Sequence, residues 1–311
     1  MHEYEAEFDS EITISYIYNA LKDHYEVMLL EADQNFVWVS RVLSEQPAMV
    51  FNICEGFHGP ARESVYAALI EQLGIRYSGP DSTNLLVCHN KSMVKKILDG
   101  QVRTPKGYAL QKADDLKQLP KMPYPVIVKL NSEGSSIGLS RESIVYSETD
   151  LIDRATLLLN RYKSNVLIEE YIDGIDLSMI YVEGIGIMGP CTIDCDAEFY
   201  DYEMKTVKDD TVDITTNTGE YKELYDTVNT IVRKLDIKGY AKIDFRVKDD
   251  KYYLIEVNAQ VSFHPYGEFA TCVRTNGFTL ENVIRHIVNY EMQKQYKENS
   301  LGIGENYGYI N

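Results

Sequence analysis

Residues 126–140, with the sequence VIVKLNSEGSSIGLS, join a compact apolar segment to a loop rich in glycine and serine. The apolar, β-branched first part predicts a buried strand. In the loop, Gly134, Ser135 and Ser136 have small side chains, so their backbone N–H groups can approach an anion closely. A strand followed by this loop predicts a phosphate-binding element. An ordinary turn is the alternative, because no Walker-type Gly-Lys-Ser/Thr ends the loop.

Lys129 places a charge inside that apolar strand. An unpaired ammonium group is costly to bury, so a buried strand would need a negative charge beside Lys129. That charge belongs either to a bound anion or to a structural carboxylate. A third alternative is a lysine at the sheet edge whose ammonium group reaches solvent.

A set of oxygen-bearing side chains lies in residues 239–259, GYAKIDFRVKDDKYYLIEVNA, which predict two strands joined by a turn near residue 250. Alternation along a strand puts Glu256 and Asn258 on one face, and the turn brings Asp244 across from them. Such oxygen ligands suit Mg²⁺, with Mn²⁺ as an alternative, and the ion can bridge to phosphate oxygens. A solvated hairpin face is the other interpretation.

Residues 167–177, LIEEYIDGIDL, predict two further strands around a turn at the Asp-Gly pair. Glu169 and Glu170 end the first strand and Asp176 begins the second. Their carboxylates and the nearby backbone could read an adenine edge and ribose hydroxyl groups. The same pattern is also common in surface hairpins.

The remaining pattern predicts helices that alternate with strands. Before residue 87 this alternation indicates a parallel sheet in a small α/β domain. Such a domain ordinarily opens with a strand, whereas here a helix comes first. The predicted helices are 10–24, 63–74, 87–100 and 278–296, the predicted strands are 25–32, 48–54 and 75–79, and residues 209–220 predict an irregular loop.

The chain has 311 residues, with 31 Lys and Arg against 48 Asp and Glu, and a formal net charge of −17. No basic run offsets that charge, so the sequence argues against nucleic-acid binding and against anionic membrane surfaces. No segment has the pattern of a signal peptide or a membrane span, so we expect a cytoplasmic protein. Packing is favoured over a disulfide framework, metal site or redox pair for the five cysteines, Cys54, Cys88, Cys191, Cys195 and Cys272.

Five sequence blocks, taken in order, resemble the ATP-grasp superfamily and, within it, the D-alanyl-D-alanine ligases. The N-terminal segments AEFDSEITI, VFNICEG and GIRYSGPDS resemble the same ligases, so the similarity spans residues 3–290. The five blocks are HNK at 89–91, VIVKLNSEGSSIGLS at 126–140, LIEEYIDGIDL at 167–177, FYDYEMK at 199–205 and KIDF…IEVN at 242–258.

The resemblance implies a fold of the α/β and α+β classes: an ATP-grasp fold whose N-terminal α/β domain lacks its usual first strand. It implies an N-terminal domain at 1–86, a central lid domain at 87–178, a C-terminal domain at 179–298 and a tail at 299–311. ATP would lie between the central and C-terminal domains.

The resemblance also implies roles for individual residues in binding ATP and Mg²⁺. Phosphate contacts would come from two lysines and from a loop that closes over the nucleotide, and a further lysine would reach the terminal phosphate. In this sequence the phosphate ligands are Lys91, Lys129 and Lys205, the loop contains Glu133, Gly134, Ser135 and Ser136, the adenosine contacts are Glu169, Glu170, Ile172 and Asp176, and the metal ligands are Asp244, Glu256 and Asn258.

Three residues are implied in the chemistry itself. Glu7 matches a glutamate that binds the amino group of the first substrate, and Ser135 matches a serine that links this glutamate to the lid. Lys242 stands where the family usually has an arginine that stabilises the tetrahedral intermediate. Lysine keeps the charge but loses the bidentate fork.

The implied reaction is ATP- and Mg²⁺-dependent amide formation between amino-acid-like small molecules, through an acyl phosphate. A homodimer is also implied. The segment AQVSFHPYGEF at 259–269 replaces the family's Pro-Gly segment, and Thr206 replaces a tyrosine, so we expect altered specificity for the acceptor. The alternatives are an ATP-binding protein that has lost ligation, and a phosphotransferase.

Four polar residues each allow two interpretations from the sequence. His58 and His264 are open between substrate contact and an ordinary surface position, and His89 is predicted at the surface where a helix starts. Arg62 and Glu63 could face the first substrate or form an ion pair at a helix start.

Overall fold

The computed structural model describes residues 7–194, 213–216 and 221–294. Its N-terminal part contains short helices joined by extended segments. The first helix begins after Ser10, whose hydroxyl accepts the N–H of Thr13, so the predicted helix start is confirmed. In chain order the helices are α1 (Glu11–Leu21), α2 (Val37–Glu45), α3 (Arg62–Gln72), α4 (Ser82–His89) and α5 (Lys91–Ile97).

The strands predicted in the N-terminal part do not form over their predicted lengths. Among the described residues of this part, the pairing is a single parallel bridge between Val50 and Tyr77. Val50 N–H donates to Arg76 O (2.8 Å), and Ser78 N–H donates to Val50 O (2.9 Å). The next donor, Asn52 N–H, bonds to the Ser78 hydroxyl (2.8 Å), so a side chain ends the ladder that a strand would continue.

Helix α2 was not predicted from the sequence. The Asp33 carboxylate accepts backbone N–H groups of Asn35 and Trp38 and so caps the start of the helix. Trp38 and Val42 are buried against the core.

The predicted helix at 87–100 is two helices, α4 and α5, which meet at Asn90. Asn90 has an extended backbone, and its side chain accepts the N–H of Met93 as the N-cap of α5. Lys91 N–H donates to Asn131 O (3.0 Å), at the end of the strand that contains Lys129. The break therefore ties the start of α5 to that strand.

A four-stranded antiparallel sheet follows, with strand order β1-β4-β2-β3. Helix α6 packs on it through Leu151, Ala155 and Leu158. This sheet has its own apolar cluster, in which β2 supplies Val126 and Val128. The elements are β1 (Gly107–Leu110), β2 (Val126–Leu130), β3 (Ile144–Val145), α6 (Glu148–Tyr162) and β4 (Val166–Glu170), with 3₁₀ turns at Ala113–Gln118 and Arg141–Ser143.

A second antiparallel sheet has five strands in the order β7-β6-β5-β8-β9. One of them, β7, lies within the stretch predicted as an irregular loop. Its β-branched residues Ile214, Thr215 and Thr216 favour a strand, and it pairs with β6. The elements are β5 (Ile175–Val182), β6 (Gly186–Asp194), β7 (Asp213–Thr216), α7 (Lys222–Leu235), β8 (Tyr240–Lys248), β9 (Lys251–Asn258), α8 (Glu268–Thr275) and α9 (Leu280–Gln293).

Strands β4 and β5 are not a hairpin, although both predicted strands exist. β4 pairs with β1 and β2, whereas β5 pairs with β6 and β8. Gly174 makes the change of sheet possible, because a Cβ there would lie 2.2 Å from Val247 O. The predicted domain boundary at residue 178 falls inside β5, and the division of the chain into domains stays a prediction.

The predicted hairpin of β8 and β9 is confirmed. Asp249 and Asp250 have φ of 49° and 56°, the left-handed conformation that a tight hairpin turn of type I′ requires. Asp244 lies opposite Glu256, and Lys242 lies opposite Asn258. The predicted common face of these side chains is therefore present in the strand register.

The N-terminal helices and the five-stranded sheet share their core. One apolar cluster joins Trp38 and Tyr66 to Ile243 and Phe245 of β8. A second joins Ile17 of α1 to α8, α9 and the strands beneath them. The described part of the chain contains no helix that is long and apolar enough to cross a membrane.

Candidate active site

A cleft of about 980 Å³, its mouth included, lies between the two sheets. Its walls come from β2, β4 and the glycine-rich loop on one side and from β5, β8 and β9 on the other. Lys205 lies outside the described residues. The predicted site residues that line the cleft are Lys91, Lys129, Glu133, Ser136, Glu169, Glu170, Ile172, Asp176, Lys242, Asp244 and Glu256.

Lys129 is paired with a carboxylate. Its ammonium nitrogen lies 2.8 Å from Oε2 of Glu169, whose other oxygen is bonded by Lys95. Glu169 is only 1% exposed. Burial acts to raise the pKa of Glu169, but the two ammonium groups outweigh it and lower that pKa. Glu169 was predicted to contact adenosine, and the structure places it as the shared partner of two lysines.

Lys95 was not predicted as a site residue. It lies one helical turn after Lys91 on α5, so spacing on one helix face was the signal that could have found it. Burial and the nearby Lys129 lower the pKa of Lys95 to about 8, against the attraction of Glu169. Glu169 therefore brings two lysines together beside the cleft in an acidic protein.

Lys91 connects the glycine-rich loop to the carboxylates of the second sheet. Its ammonium nitrogen donates to Glu133 O (2.5 Å) and lies 3.2 Å from Oε2 of Glu256. Since Lys91 is the first residue of α5, the capped start of that helix determines where its side chain begins.

The glycine-rich loop has the strained backbone expected for an anion cradle. Ser135 and Ser136 have φ of 45° and 57°. Glu7 accepts the N–H of Gly134 (2.7 Å), so the bond from the loop to Glu7 comes from the backbone one residue before Ser135. A Cβ on Gly134 would lie 2.6 Å from that Glu7 oxygen, so a side chain there would displace the Glu7 carboxylate.

Arg62 holds the loop to the N-terminal part. It forms ion pairs with Glu7 and with Glu133 (3.0 Å). Its Nη1 lies 2.9 Å from His89 Nε2, and His89 Nδ1 lies 2.5 Å from Glu63. His89 is buried, so its predicted surface position is wrong, because the charges of α3 draw it inward.

The three predicted metal ligands come together. Asn258 Nδ2 donates to Asp244 Oδ2 (2.8 Å) and to Glu256 Oε1 (3.3 Å), and Ser178 donates to Asp244 Oδ1 (2.6 Å). Burial raises the pKa of Asp244 to about 6, and the neighbouring carboxylates of Glu268 and Glu256 add to the rise while Lys242 opposes it.

This set fits a hard divalent ion. Lys242 and Lys91 balance the two carboxylates in this arrangement, and a rotation of the Asn258 amide would turn its oxygen toward an ion held between them. The described residues hold no cluster of three or more His, Cys, Asp or Glu arranged for a metal, so an ion at this place would also use the amide oxygen of Asn258.

Lys242 lies at the end of the cleft beside Asp244. Its ammonium nitrogen lies 2.9 Å from Asp244 Oδ2 and 2.5 Å from Glu268 Oε2. Burial acts to lower the pKa of Lys242, but these two carboxylates raise it well above its ordinary value. Glu268 was not predicted as a site residue, and it lies in the segment whose sequence departs from the family pattern.

At the opposite end, Arg246 forms a bidentate pair with the predicted ribose ligand. Arg246 Nε and Nη2 lie 2.8 Å and 3.1 Å from the two oxygens of Asp176. Its Nη1 donates to Ile172 O (2.9 Å). Arg246 was not predicted as a site residue, although its place two residues after Asp244 on β8 puts it on the same face.

The comparisons with known proteins decide the family. A family model described as D-ala D-ala ligase C-terminus matches residues 102–289. D-alanine–D-alanine ligase A of Bacillus cereus is 30% identical over 243 residues, which are 76% of this chain and 77% of that protein. The chain belongs to the D-alanine–D-alanine ligase family.

Other members of the ligase family agree. A D-alanine–D-alanine ligase of Pseudothermotoga lettingae is 26% identical over 272 residues, 85% of this chain and 88% of that protein. The crystal structure of a Bacillus anthracis D-alanine–D-alanine ligase complexed with ATP matches with a TM-score of 0.75, at 23% identity and 94% coverage of both chains. The predicted ATP-grasp fold is confirmed, and the protein is an ATP-dependent carboxylate–amine ligase.

Proposed function

We propose that the cleft binds ATP and an amino-acid-like donor, forms an acyl phosphate from the donor carboxylate, and transfers the acyl group to an amine. The observation that best supports this proposal is that buried lysines lie close to the carboxylates of the proposed metal site. Lys91 lies 3.2 Å from Glu256, beside the two lysines that share Glu169. Phosphoryl transfer needs positive charge around the moving group, and this wall supplies it.

The proposed reaction has two steps. A donor carboxylate oxygen bonds to the terminal phosphorus of ATP, the bond from phosphorus to the ADP oxygen breaks, and ADP leaves. The acceptor nitrogen then bonds to the acyl carbon, the bond from that carbon to the phosphate oxygen breaks, and inorganic phosphate leaves. The nitrogen loses a proton to give the neutral amide.

In the proposed reaction, the lysines exchange their carboxylate partners for phosphate oxygens of ATP. Lys129 and Lys95 together exceed the single charge of Glu169, so the trio has charge left for an ATP phosphate. Lys205 and the Ser135-Ser136 turn belong to the same proposed phosphate site. Asp244, Glu256 and Asn258 would hold Mg²⁺, which supplies charge neutralisation at the phosphate oxygens.

Glu7 is the proposed ligand for the donor's ammonium group. Gly134 N–H and Arg62 hold its carboxylate in place beside the loop. The donor would then lie between the N-terminal part and the loop, while Lys242 stabilises the oxyanion of the tetrahedral intermediate. Closure of the loop excludes water, which would otherwise hydrolyse the acyl phosphate.

The experiment is acyl-phosphate trapping. Purified protein is incubated with ATP, Mg²⁺, hydroxylamine and a panel of D- and L-amino acids, and hydroxamate and phosphate are measured. We expect a hydroxamate from at least one donor. ATP binding without hydroxamate across the panel would favour a protein that has lost ligation, and a stable phosphate ester in mass spectrometry would favour a phosphotransferase.

Replacing Asp244 tests the proposed metal site. We expect Asp244→Asn to lower the rate of hydroxamate formation by about a hundredfold or more, because the metal loses a charged ligand. Asp226→Asn on α7 is the matched control and should keep the wild-type rate. An Asp244→Asn protein with wild-type rate would contradict the assignment. Light scattering in the same preparations tests the predicted homodimer.

A further inference from the structure

Arg154 of α6 holds the rear half of the glycine-rich loop. Its Nη2 donates to Gly138 O (2.7 Å), inside the loop, and to Ser143 Oγ (2.9 Å), in the 3₁₀ turn that follows the loop. The Ser143 hydroxyl also accepts the N–H of Ser140 (3.0 Å). One guanidinium group therefore connects both ends of the segment 138–143 to α6.

The Arg154 side chain is only 10% exposed, although it is charged. Its ion-pair partner Glu142 lies 3.8 Å away and is 85% exposed, so water screens the pair and weakens it. A buried charged group needs hydrogen-bond acceptors, and here a backbone carbonyl and a hydroxyl supply them. The position of Arg154 therefore depends on the loop more than on a carboxylate.

The rear half of the loop packs into the apolar cluster of the four-stranded sheet. Ile137 is buried there together with Leu130 and Leu158. Gly138 has a φ of 72°, and a Cβ on it would lie 3.2 Å from Leu130 and 3.3 Å from Tyr162. This half of the loop therefore belongs to the same packed unit as β2 and α6.

The front half of the loop contacts a different part of the molecule. Gly134 N–H donates to Glu7, and Glu133 pairs with Arg62 of α3, a helix whose buried face lies in another apolar cluster. These contacts are hydrogen bonds and ion pairs between two packed units. They can therefore break without opening either core.

Resting on the proposed ligase function, we propose that Arg154 is a positioning residue for phosphoryl transfer, which keeps the shape of the loop while its front contacts open and close. Ser135 and Ser136 have the left-handed backbone conformation, which serine keeps only where the surrounding contacts impose it. A loop held in this shape offers its N–H groups to the ATP phosphates without first being ordered, and on closing it excludes water from the acyl phosphate.

The experiment replaces the guanidinium group in the full-length protein. With a donor that gives hydroxamate, we expect Arg154→Met to raise KM for ATP by about tenfold or more, because binding must then order the loop. At a fixed hydroxylamine concentration, the ratio of phosphate to hydroxamate should rise at least about twofold. Water would then attack the acyl carbon, and phosphate would leave without hydroxamate. A smaller fraction of folded protein would lower kcat alone and change neither quantity.

Three further variants serve as controls. Arg154→Lys keeps the charge and a donor for Gly138 O, so its KM for ATP should stay within about threefold of the wild-type value. Arg233→Met, in the exposed last turn of α7, is the matched control and should keep the wild-type KM and ratio. If Arg154→Met does not fold, Ser143→Ala removes one of the two acceptors and should raise KM for ATP by about threefold. A wild-type KM in Ser143→Ala would then overturn the proposal.

The outcomes separate this proposal from the function on which it rests. A folded Arg154→Met protein that forms hydroxamate with wild-type KM and ratio overturns the role of Arg154 and leaves the ligase function standing. Absence of hydroxamate with every donor overturns the proposed function. Calorimetric titration with ATP then decides the role of Arg154: an unchanged affinity in Arg154→Met overturns it, and a weakened affinity supports it.

Discussion

Glu169 shows how a single buried residue organises the lysines beside the cleft. It lies on β4 between Lys129 of β2 and Lys95 of α5, and its side chain is almost completely buried. Removing one member of a buried ion pair leaves the others uncompensated, which costs more than the pair contributes. Three elements are therefore held in place by one carboxylate.

We expect Glu169→Gln to lower the free energy of unfolding by about 3–5 kcal/mol at pH 7. Urea denaturation measures this. Glu170→Gln, the next residue of β4 and only partly buried, is the control and should cost less than about 1 kcal/mol. Equal, small effects from both variants would contradict the role of Glu169 as the shared partner.

The effect of Glu169→Gln on the free energy of unfolding depends on pH. The native pKa of Glu169 is lowered from its ordinary 4.5, so the native state binds this proton less tightly than the unfolded chain. The stabilisation is thus fully present above about pH 4.5 and is lost as the pH falls through the lowered pKa. The difference in unfolding free energy between wild type and Glu169→Gln should shrink in that acidic range, and it should also shrink as the pH rises toward about 8, because Glu169 raises the pKa of Lys95 and the variant loses this proton at lower pH.

At the scale of elements, α5 connects the two walls of the cleft. Its N-cap Asn90 interrupts the predicted long helix, and Lys91 and Lys95 extend from one face of the short helix. Asn90 Oδ1 also accepts from Asn131 Nδ2 (2.9 Å), at the end of β2. The cap therefore positions two lysines relative to the strand that contains the third.

We expect Asn90→Ala to cost about 1–2 kcal/mol of stability and to weaken ATP binding at least about threefold, because α5 and its lysines lose their anchor. Asp81→Ala removes the corresponding cap of α4 and should cost a similar stability without changing ATP affinity. Denaturation and calorimetric titration with ATP measure the two effects. Equal ATP affinity in both variants would show that α5 is positioned by other contacts.

At the scale of the whole molecule, the packing joins the N-terminal helices to the five-stranded sheet. The N-terminal helices share one apolar cluster with β8 of the five-stranded sheet, whereas the four-stranded sheet and α6 have a separate cluster. Elements that share a core unfold locally as one unit, and elements with separate cores unfold independently.

Two conservative core substitutions test this division. We expect Ile243→Val to speed hydrogen exchange both in α3 and in β8, and Ile168→Val to speed it in the four-stranded sheet and α6 alone. Each loses about 1 kcal/mol, which corresponds to about fivefold faster exchange. Both residues are fully buried, so the pair is matched. Faster exchange of α3 in Ile168→Val would contradict the separate clusters.

Local patterns in the sequence were enough to predict the β8–β9 hairpin and the convergence of Asp244, Glu256 and Asn258, since strand alternation and a tight turn set their register. The glycine-rich loop and the charge of Lys129 likewise indicated an anion site. These features depend on residues close together in the chain. Local backbone geometry therefore determines how these residues are arranged.

Only the tertiary structure decided which partners the charges have. Lys129 and Lys95 share Glu169, His89 turns inward to Glu63, and Lys242 pairs with Glu268. It also placed β4 and β5 in different sheets and reduced the predicted N-terminal strands to one bridge. Side-chain partners distant in sequence are selected by burial, because a charge removed from water must find an opposite charge, and local pattern does not encode which one.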